Sequence, residues 1–267
     1  MMCTVGVVGH GYVGQAVAIG FSPVTDVKVW DKDTKRSPHT LEEIAGQDII
    51  FICVPTPTNT EGIHKIYNVN NAIAAILKIR QGDPPVIVIK STVLPGTCDL
   101  FSQSYDVPIV SNPEFLTARM AVDDFRCPAS IVLGSDDIIA LNTVYGLYKT
   151  RFPDVPIILY ENARTAELVK YARNCFYAVK MAMLNEMAVL CQHLGIHYDD
   201  VKEGLLASGW VNPMHCDVPG HDGKPGFGGA CLPKDGRALV GFGCDEGVPL
   251  RVLDAALESN EKVRHGD

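Results

Sequence analysis

The chain has 267 residues, 47% of them hydrophobic and 20% charged, with a formal charge of −8. This length and balance exclude a disordered chain and allow one large or two modest globular domains. The negative charge argues against nucleic acid or an anionic membrane as a partner. No apolar run is long enough to span a bilayer, and the first residues lack a basic leader, so neither a membrane span nor a signal peptide is expected. Nine cysteines, an odd number without framework spacing, fit reduced thiols in a cytoplasmic setting.

Residues 4–8 form a short apolar run that reads as a strand, followed at once by Gly9, His10, Gly11, Tyr12, Val13, Gly14 and a helix-like QAVAIG. A G-x-G-x-x-G between strand and helix lets a pyrophosphate approach the backbone at a helix N-terminus. Residues 27–31 (VKVWD) read as a second strand, and Asp31 stands where the ribose-binding acid of an NAD site belongs. A carboxylate there disfavours the extra phosphate of NADP, although Lys32, Lys35 and Arg36 follow closely. Residues 49–54, 86–90, 109–111 and 131–134 are further apolar strands, with helices expected at 68–80 and 136–150. Repeated β–α alternation implies a doubly wound parallel sheet, whose ligands lie at the carboxyl ends of the strands. Three polar stretches fall there: PTPTN (55–59), STVLPGT (91–97) and NPEF (112–115).

Residues 162–194 contain no glycine or proline and are closed by Gly195, so they read as one helix. Leu168, Ala172, Cys175, Phe176, Val179, Leu184, Met187 and Leu190 give it an apolar stripe suited to a domain spine and a dimer seam. Met181, Met183 and Met187 read as packing residues. Lys170 and Asn174 share one face of this helix. Residues 208–230, rich in Gly, Pro, His and Asp, are too long for a passive connection. They lead to GFGGACLPKD (226–235), where Cys231 stands close to Lys234 and Asp235, with Pro233 marking a helix start. A helix N-terminus and a nearby lysine are the surroundings that favour a reactive thiolate. His215, Cys216, Asp217, His221 and Asp222 match no structural zinc spacing, so no metal is expected; His215 and His221 suit sugar or phosphate contacts better.

Taken together these motifs resemble the UDP-glucose/GDP-mannose dehydrogenase family, which oxidises a primary alcohol of a nucleotide sugar to a carboxylate with two NAD. The likeness runs from Gly9–Gly14 through VPTP (54–57), STVLPGT, NPEFL (112–116), DDF (123–125) and AELVKYARN (166–174) to PGFGGACLPKD (225–235). It implies an N-terminal Rossmann-type domain over 1–160 and an all-helical domain over 161–267, built on the long helix and forming a homodimer through it. It further implies that Cys231 is the nucleophile, carrying a thiohemiacetal and then a thioester. Lys170 and Asn174 match the pair that stabilises the developing oxyanion. Asp235 and Thr92 match residues that position water, and Glu114 a carboxylate of thioester hydrolysis. Arg36, Pro55, Thr56, Thr92 and Lys234 correspond to cofactor contacts, beside Gly9, Gly11, Tyr12, Val13, Gly14 and Asp31. Glu114, Phe115, Leu116, Lys170, Asn174, Phe227 and Gly228 correspond to substrate contacts.

The pattern also departs from the family. The family usually continues into a second Rossmann-like domain, so a short form is expected whose lid is absent, supplied by another chain, or made unnecessary by a different substrate. Ala118 stands where the family motif carries a second glutamate, and WVNPMHCDVPGHDGK (210–224) replaces an arginine-containing segment. Oxidation of a smaller sugar phosphate or polyol, and a non-catalytic NAD-binding subunit, are the competing readings.

Overall fold

The structure is a computed structural model that describes residues 3–58, 65–117 and 119–265; Asn59 and Ala118 lie outside the described residues. These fall into two compact units, one of 3–57 with 65–170 and one of Thr58 with 171–265.

The first unit is a seven-stranded sheet in the order β2-β1-β3-β4-β5-β6-β7. Its strands are β1 (Val5–Val8), β2 (Val27–Trp30), β3 (Ile49–Ile52), β4 (Val86–Ile89), β5 (Ile109–Ser111), β6 (Ile131–Gly134) and β7 (Ile157–Tyr160). The helices are α1 (Tyr12–Phe21), α2 (Leu41–Ala45), α3 (Tyr67–Ile79), α4 (Thr97–Tyr105), α5 (Ala121–Arg126) and α6 (Ile138–Arg151). The start of α7 (Ala163–Leu194) belongs to the same unit.

The unbroken apolar strands follow from burial on both sheet faces. Ile49 and Phe51 of β3 pack with Val17 and Phe21 of α1, Phe125 of α5 and Val144 of α6. Ile50 and Ile52, pointing the other way, pack with Ile44 of α2, Ile73 and Ile76 of α3 and Phe101 of α4. Period-two geometry thus divides one short strand between two cores.

The sheet differs from the expected one in two respects. β5 and β6 pair antiparallel through Ser111 and Gly134, so the sheet is mostly rather than wholly parallel. A parallel pairing needs a full crossover, and the chain from β5 to β6 carries only the short α5. β7, parallel to β6, was not among the expected strands. It is an edge strand with Ile158 and Leu159 exposed, so its four residues lack the burial pattern that marks the inner strands.

The second unit is helical: the rest of α7, then α8 (Tyr198–Ala207), α9 (Leu232–Asp245) and α10 (Arg251–His265). α7 runs unbroken over 32 residues, roughly 48 Å at 1.5 Å per residue. α9 packs on α10, and Gly236 of α9 lets Leu257 approach so closely that an added Cβ would lie 2.9 Å from its Cδ2.

Candidate active site

The first unit gathers its polar loops at the carboxyl edge of the sheet, and the three fingerprint glycines there answer different demands. Gly9 has φ +95°, and a Cβ on it would lie 2.6 Å from the Cys53 carbonyl oxygen at the end of β3. A Cβ on Gly14 would lie 1.8 Å from the Gly9 carbonyl oxygen, so only glycine lets α1 start against the turn. Gly11 is in ordinary extended geometry (φ −77°, ψ −169°) with no heavy atom within 4 Å of an added Cβ. Nothing among the described residues requires glycine at 11. The open cradle above it fits a pyrophosphate approaching the backbone. Tyr12 is exposed and Val13 half-buried at the start of α1.

Asp31, just past β2, accepts the His10 amide on Oδ2 (2.6 Å) and the Asp33 amide on Oδ1 (2.8 Å). Each carboxylate oxygen keeps a second lone pair for a ribose hydroxyl. Arg36 follows in a 3-10 turn, its Nε 3.5 Å from Asp33 Oδ2. The loops after β3 and β4 are tied together: Thr56 Oγ1 donates to the Thr92 carbonyl (2.8 Å) and Ser91 Oγ to the Val54 carbonyl (2.7 Å). Asn68 Nδ2 donates to the Pro55 carbonyl (2.8 Å). Pro55, Thr56 and Thr92 are thereby joined in one rim.

The same unit holds a buried ionic cluster. Lys170 Nζ on α7 donates to the Glu114 carbonyl (2.7 Å) and to Glu114 Oε1 (2.9 Å), and Leu116 N donates to Glu114 Oε2 (2.7 Å). Both side chains are about nineteen-twentieths buried, and the Phe115 ring centroid lies 5.7 Å from the ammonium. Lys90, closing the apolar β4, donates to Asn112 Oδ1 (2.9 Å), which also takes the Tyr148 hydroxyl. Asn112 Nδ2 donates to the Val132 carbonyl (2.8 Å). Burial pushes the Lys90 ammonium down to about 8, against the opposing pull of Cys53 and Glu114. Burial likewise raises the Cys53 thiol to about 12.

One further carboxylate fixes this arrangement. Glu167, one turn before Lys170 on α7, accepts the Gly96 amide (2.6 Å) and the Cys98 amide (2.8 Å), capping the N-terminus of α4. Burial raises its pKa, while these bonds lower it.

In the second unit, Cys231 is the half-buried N-cap of α9, with Pro233 in the first turn. Lys234 Nζ lies 2.6 Å from Asp235 Oδ1, an ion pair without hydrogen-bond alignment. Asn174 Nδ2 donates to Asp235 Oδ2 (2.6 Å). The lysine that the sequence sets beside Cys231 is thus committed to the fully buried Asp235. The preceding loop is clamped by three side chains. Asn185 Oδ1 accepts the Gly226 amide (2.6 Å). Asn260 Oδ1 accepts the Phe227 amide (2.6 Å), and its Nδ2 donates to the Phe227 carbonyl (3.0 Å). Arg264 Nη1 donates to the Pro225 carbonyl (3.1 Å). A Cβ on Gly226 would meet Asn260 Oδ1 at 2.5 Å, and one on Gly228 would meet Arg264 at 2.3 Å, so these motif glycines make room for the clamp. Phe227 is itself buried and serves the loop's own support.

The sequence marks Lys90 only as a lysine ending an apolar strand, and Asn112 and Glu167 only as members of the NPEF and AELVKYARN stretches. Asn185, Asn260 and Arg264 carry no sequence signal, since their partners appear only on folding. Among the described residues, no group of three His, Cys, Asp or Glu side chains could hold a metal ion, and no helix is long and apolar enough to cross a membrane. All nine cysteines are free.

An open glycine cradle at a strand-to-helix turn, with a carboxylate at the end of the next strand, defines the first unit as a dinucleotide-binding domain. Residues 35–152 match the NAD binding domain, and 164–262 the central domain, of the UDP-glucose/GDP-mannose dehydrogenase family. The chain belongs to that family. It is 36% identical over 231 residues to a UDP-glucose 6-dehydrogenase of Rhizobium meliloti, covering 82% of this chain and 51% of the relative. To the UDP-glucose 6-dehydrogenase TuaD of Bacillus subtilis it is 30% identical over 253 residues, covering 92% of this chain and 53% of the relative. It spans about half the length of the curated relatives it matches. A UDP-glucose dehydrogenase structure from Pyrobaculum islandicum superposes with a TM-score of 0.87 at 29% identity, covering 98% of this chain and 68% of that one.

Proposed function

We propose that this protein oxidises the primary alcohol of a nucleotide sugar of the UDP-glucose type to a carboxylate, using NAD and a covalent adduct on Cys231. The observation that carries this reading is the placement of Cys231 at the start of α9, above an Asp235 held by Asn174 and Lys234. NAD, when bound, would supply the hydride acceptor, one molecule for each of the two oxidations. The Gly9–Gly14 turn and Asp31 would hold it, with Tyr12, Val13, Arg36, Pro55, Thr56, Thr92 and Lys234 as further contacts.

The chain's own residues then have separable tasks. The Cys231 sulfur adds to the aldehyde carbon, and the acyl group left after the second oxidation is released from sulfur by water. Lys170 uses two of its three N–H groups on Glu114, and the third is suited to a developing oxyanion, with the Asn174 amide as a second donor. Glu114 serves the hydrolytic water as base, and Asp235 and Thr92 position water. Phe115 and Leu116 of the first unit, and Gly228 of the second, match the family's substrate contacts.

α7 also carries an exposed apolar stripe, with Phe176, Met183, Leu190 and Leu194 spaced by seven, seven and four residues. That spacing supports a homodimer through this helix, and nine free thiols support a cytoplasmic setting.

The test is NADH yield per molecule of UDP-glucose consumed, for the wild type and for Cys231→Ser. Two NADH for the wild type, with no acid but retained NAD binding in the variant, is expected. Acid formation by the variant removes the covalent role; one NADH per sugar removes the four-electron reading.

A further inference from the structure

The segment 210–224 departs from the family pattern, and its central histidine is held in an unusual way. His215 has φ +63°; apart from the helix-capping Asp106, it is the one non-glycine residue with positive φ among those described. That conformation is unfavourable for an L-residue, so the surrounding contacts must impose it. They are visible. Lys180 of α7 donates to the Met214 carbonyl (2.8 Å) and to the Asn212 carbonyl. Tyr198 Oη donates to the Cys216 carbonyl (2.7 Å), and the Cys216 side chain is buried. Straps on both sides press the half-buried imidazole edge-on to the Tyr177 ring, with centroids 4.9 Å apart.

The helix face beneath is basic. Arg173, Tyr177 and Lys180 stand at i, i+4 and i+7 on one side of α7. The charges acting on His215 are those of Lys180, His221 and Arg173, all cationic; with burial as the larger cause, they lower its pKa. The acids of the same loop are committed elsewhere. Asp217 takes Lys202 at 3.0 Å, and Asp222 takes Arg264. Folding therefore gathers positive groups around one imidazole and draws the loop's carboxylates away from it.

We propose that Arg173, Lys180 and His215, around Tyr177, form a binding site for a phosphate group, and that in turnover this phosphate belongs to the nucleotide-sugar substrate. The second clause rests on the function proposed above; the first does not. Guanidinium, ammonium and imidazolium donors suit a phosphate's oxygens, and a dianion relieves the mutual repulsion of the cations.

The test follows the His215 ring signals by NMR in the full chain, against pH, with sodium sulfate, UDP and uridine as probes. Sulfate stays dianionic through the titration, and uridine is the same nucleoside without phosphate. Sulfate and UDP are each expected to raise the His215 midpoint by about one pH unit, which means about tenfold tighter binding to the charged imidazole. Uridine should leave it unmoved. Arg173→Gln should weaken sulfate and UDP about tenfold. His215→Asn, which tolerates left-handed backbone, should remove the pH dependence and carries the test if the arginine variant does not fold. An unmoved midpoint with both anions overturns the site, even if UDP binds elsewhere and UDP-glucose oxidation stands. A midpoint moved by sulfate but not by UDP overturns the assignment to substrate. A midpoint moved by UDP in a protein that yields no NADH from UDP-glucose keeps the site and overturns the proposed reaction.

Discussion

Substituting the fingerprint glycines one at a time by alanine separates what the fold needs from what the cofactor needs. At Gly14 the new Cβ starts 1.8 Å from the Gly9 carbonyl oxygen, against an ordinary contact of 3.4 Å or more, so the start of α1 must retreat by 1.6 Å. Overpacking of that kind costs about 3 kcal/mol or more where the obstacle is backbone. At Gly9 the conflict is with Cys53 O at 2.6 Å, and φ +95° adds about 1–2 kcal/mol of left-handed strain. At Gly11 neither cost arises. Alanine there lowers unfolded-chain entropy by about 0.4–1 kcal/mol, offset by its poorer N-capping, so stability should stay within about 1 kcal/mol of wild type. Its methyl group nevertheless occupies the open cradle, and NAD affinity should fall at least tenfold, or about 1.4 kcal/mol. Urea unfolding gives the stabilities and calorimetric titration the affinities. A Gly11→Ala protein that unfolds easily, or that binds NAD as wild type does, refutes this division of roles.

Three other outcomes are expected. Lys170→Met and Glu114→Gln each leave one partner of a buried pair uncompensated and should each cost about 3–5 kcal/mol; the double variant should lose clearly less than the sum, measured by a denaturation cycle. Asn260→Ala removes both bonds to the Phe227 backbone and should cost about 2–6 kcal/mol, at about 1–3 for each buried group left unpaired, with faster protease cleavage in the 220–230 loop. Lys90 is depressed to about 8 when folded, so between that pH and its ordinary value the unfolded chain binds more protons and folding gains as pH rises. Relative to Lys90→Met, the wild type should therefore gain most of about 3 kcal/mol between pH 7 and pH 10.5; a pH-independent difference would show that Lys90 titrates normally.

The dinucleotide domain was readable in the chain because its signals are local. Four-residue apolar strands, a glycine turn and a carboxylate at the end of β2 follow from backbone sterics and burial, which neighbouring residues express together. The cysteine loop announced itself for the same reason, through a glycine pair, a proline and charged residues in ten consecutive positions. The edge strand β7 did not, since half-exposed residues carry weaker periodicity, and neither did the antiparallel β6, whose direction depends on how the chain returns rather than on its own residues.

Sequence by itself determined which side chains are the candidates for chemistry: a thiol at a helix start, a lysine and an asparagine one turn apart, a glutamate after a strand. Tertiary structure decided their partners. It placed Lys234 on Asp235, Lys170 on Glu114, Glu167 across the start of α4 and Asn260 on the loop backbone, contacts spanning one to seventy-one positions. The physical reason is that a polar group's partner is settled by burial, since each group removed from water must find a donor or acceptor among whatever the fold brings near.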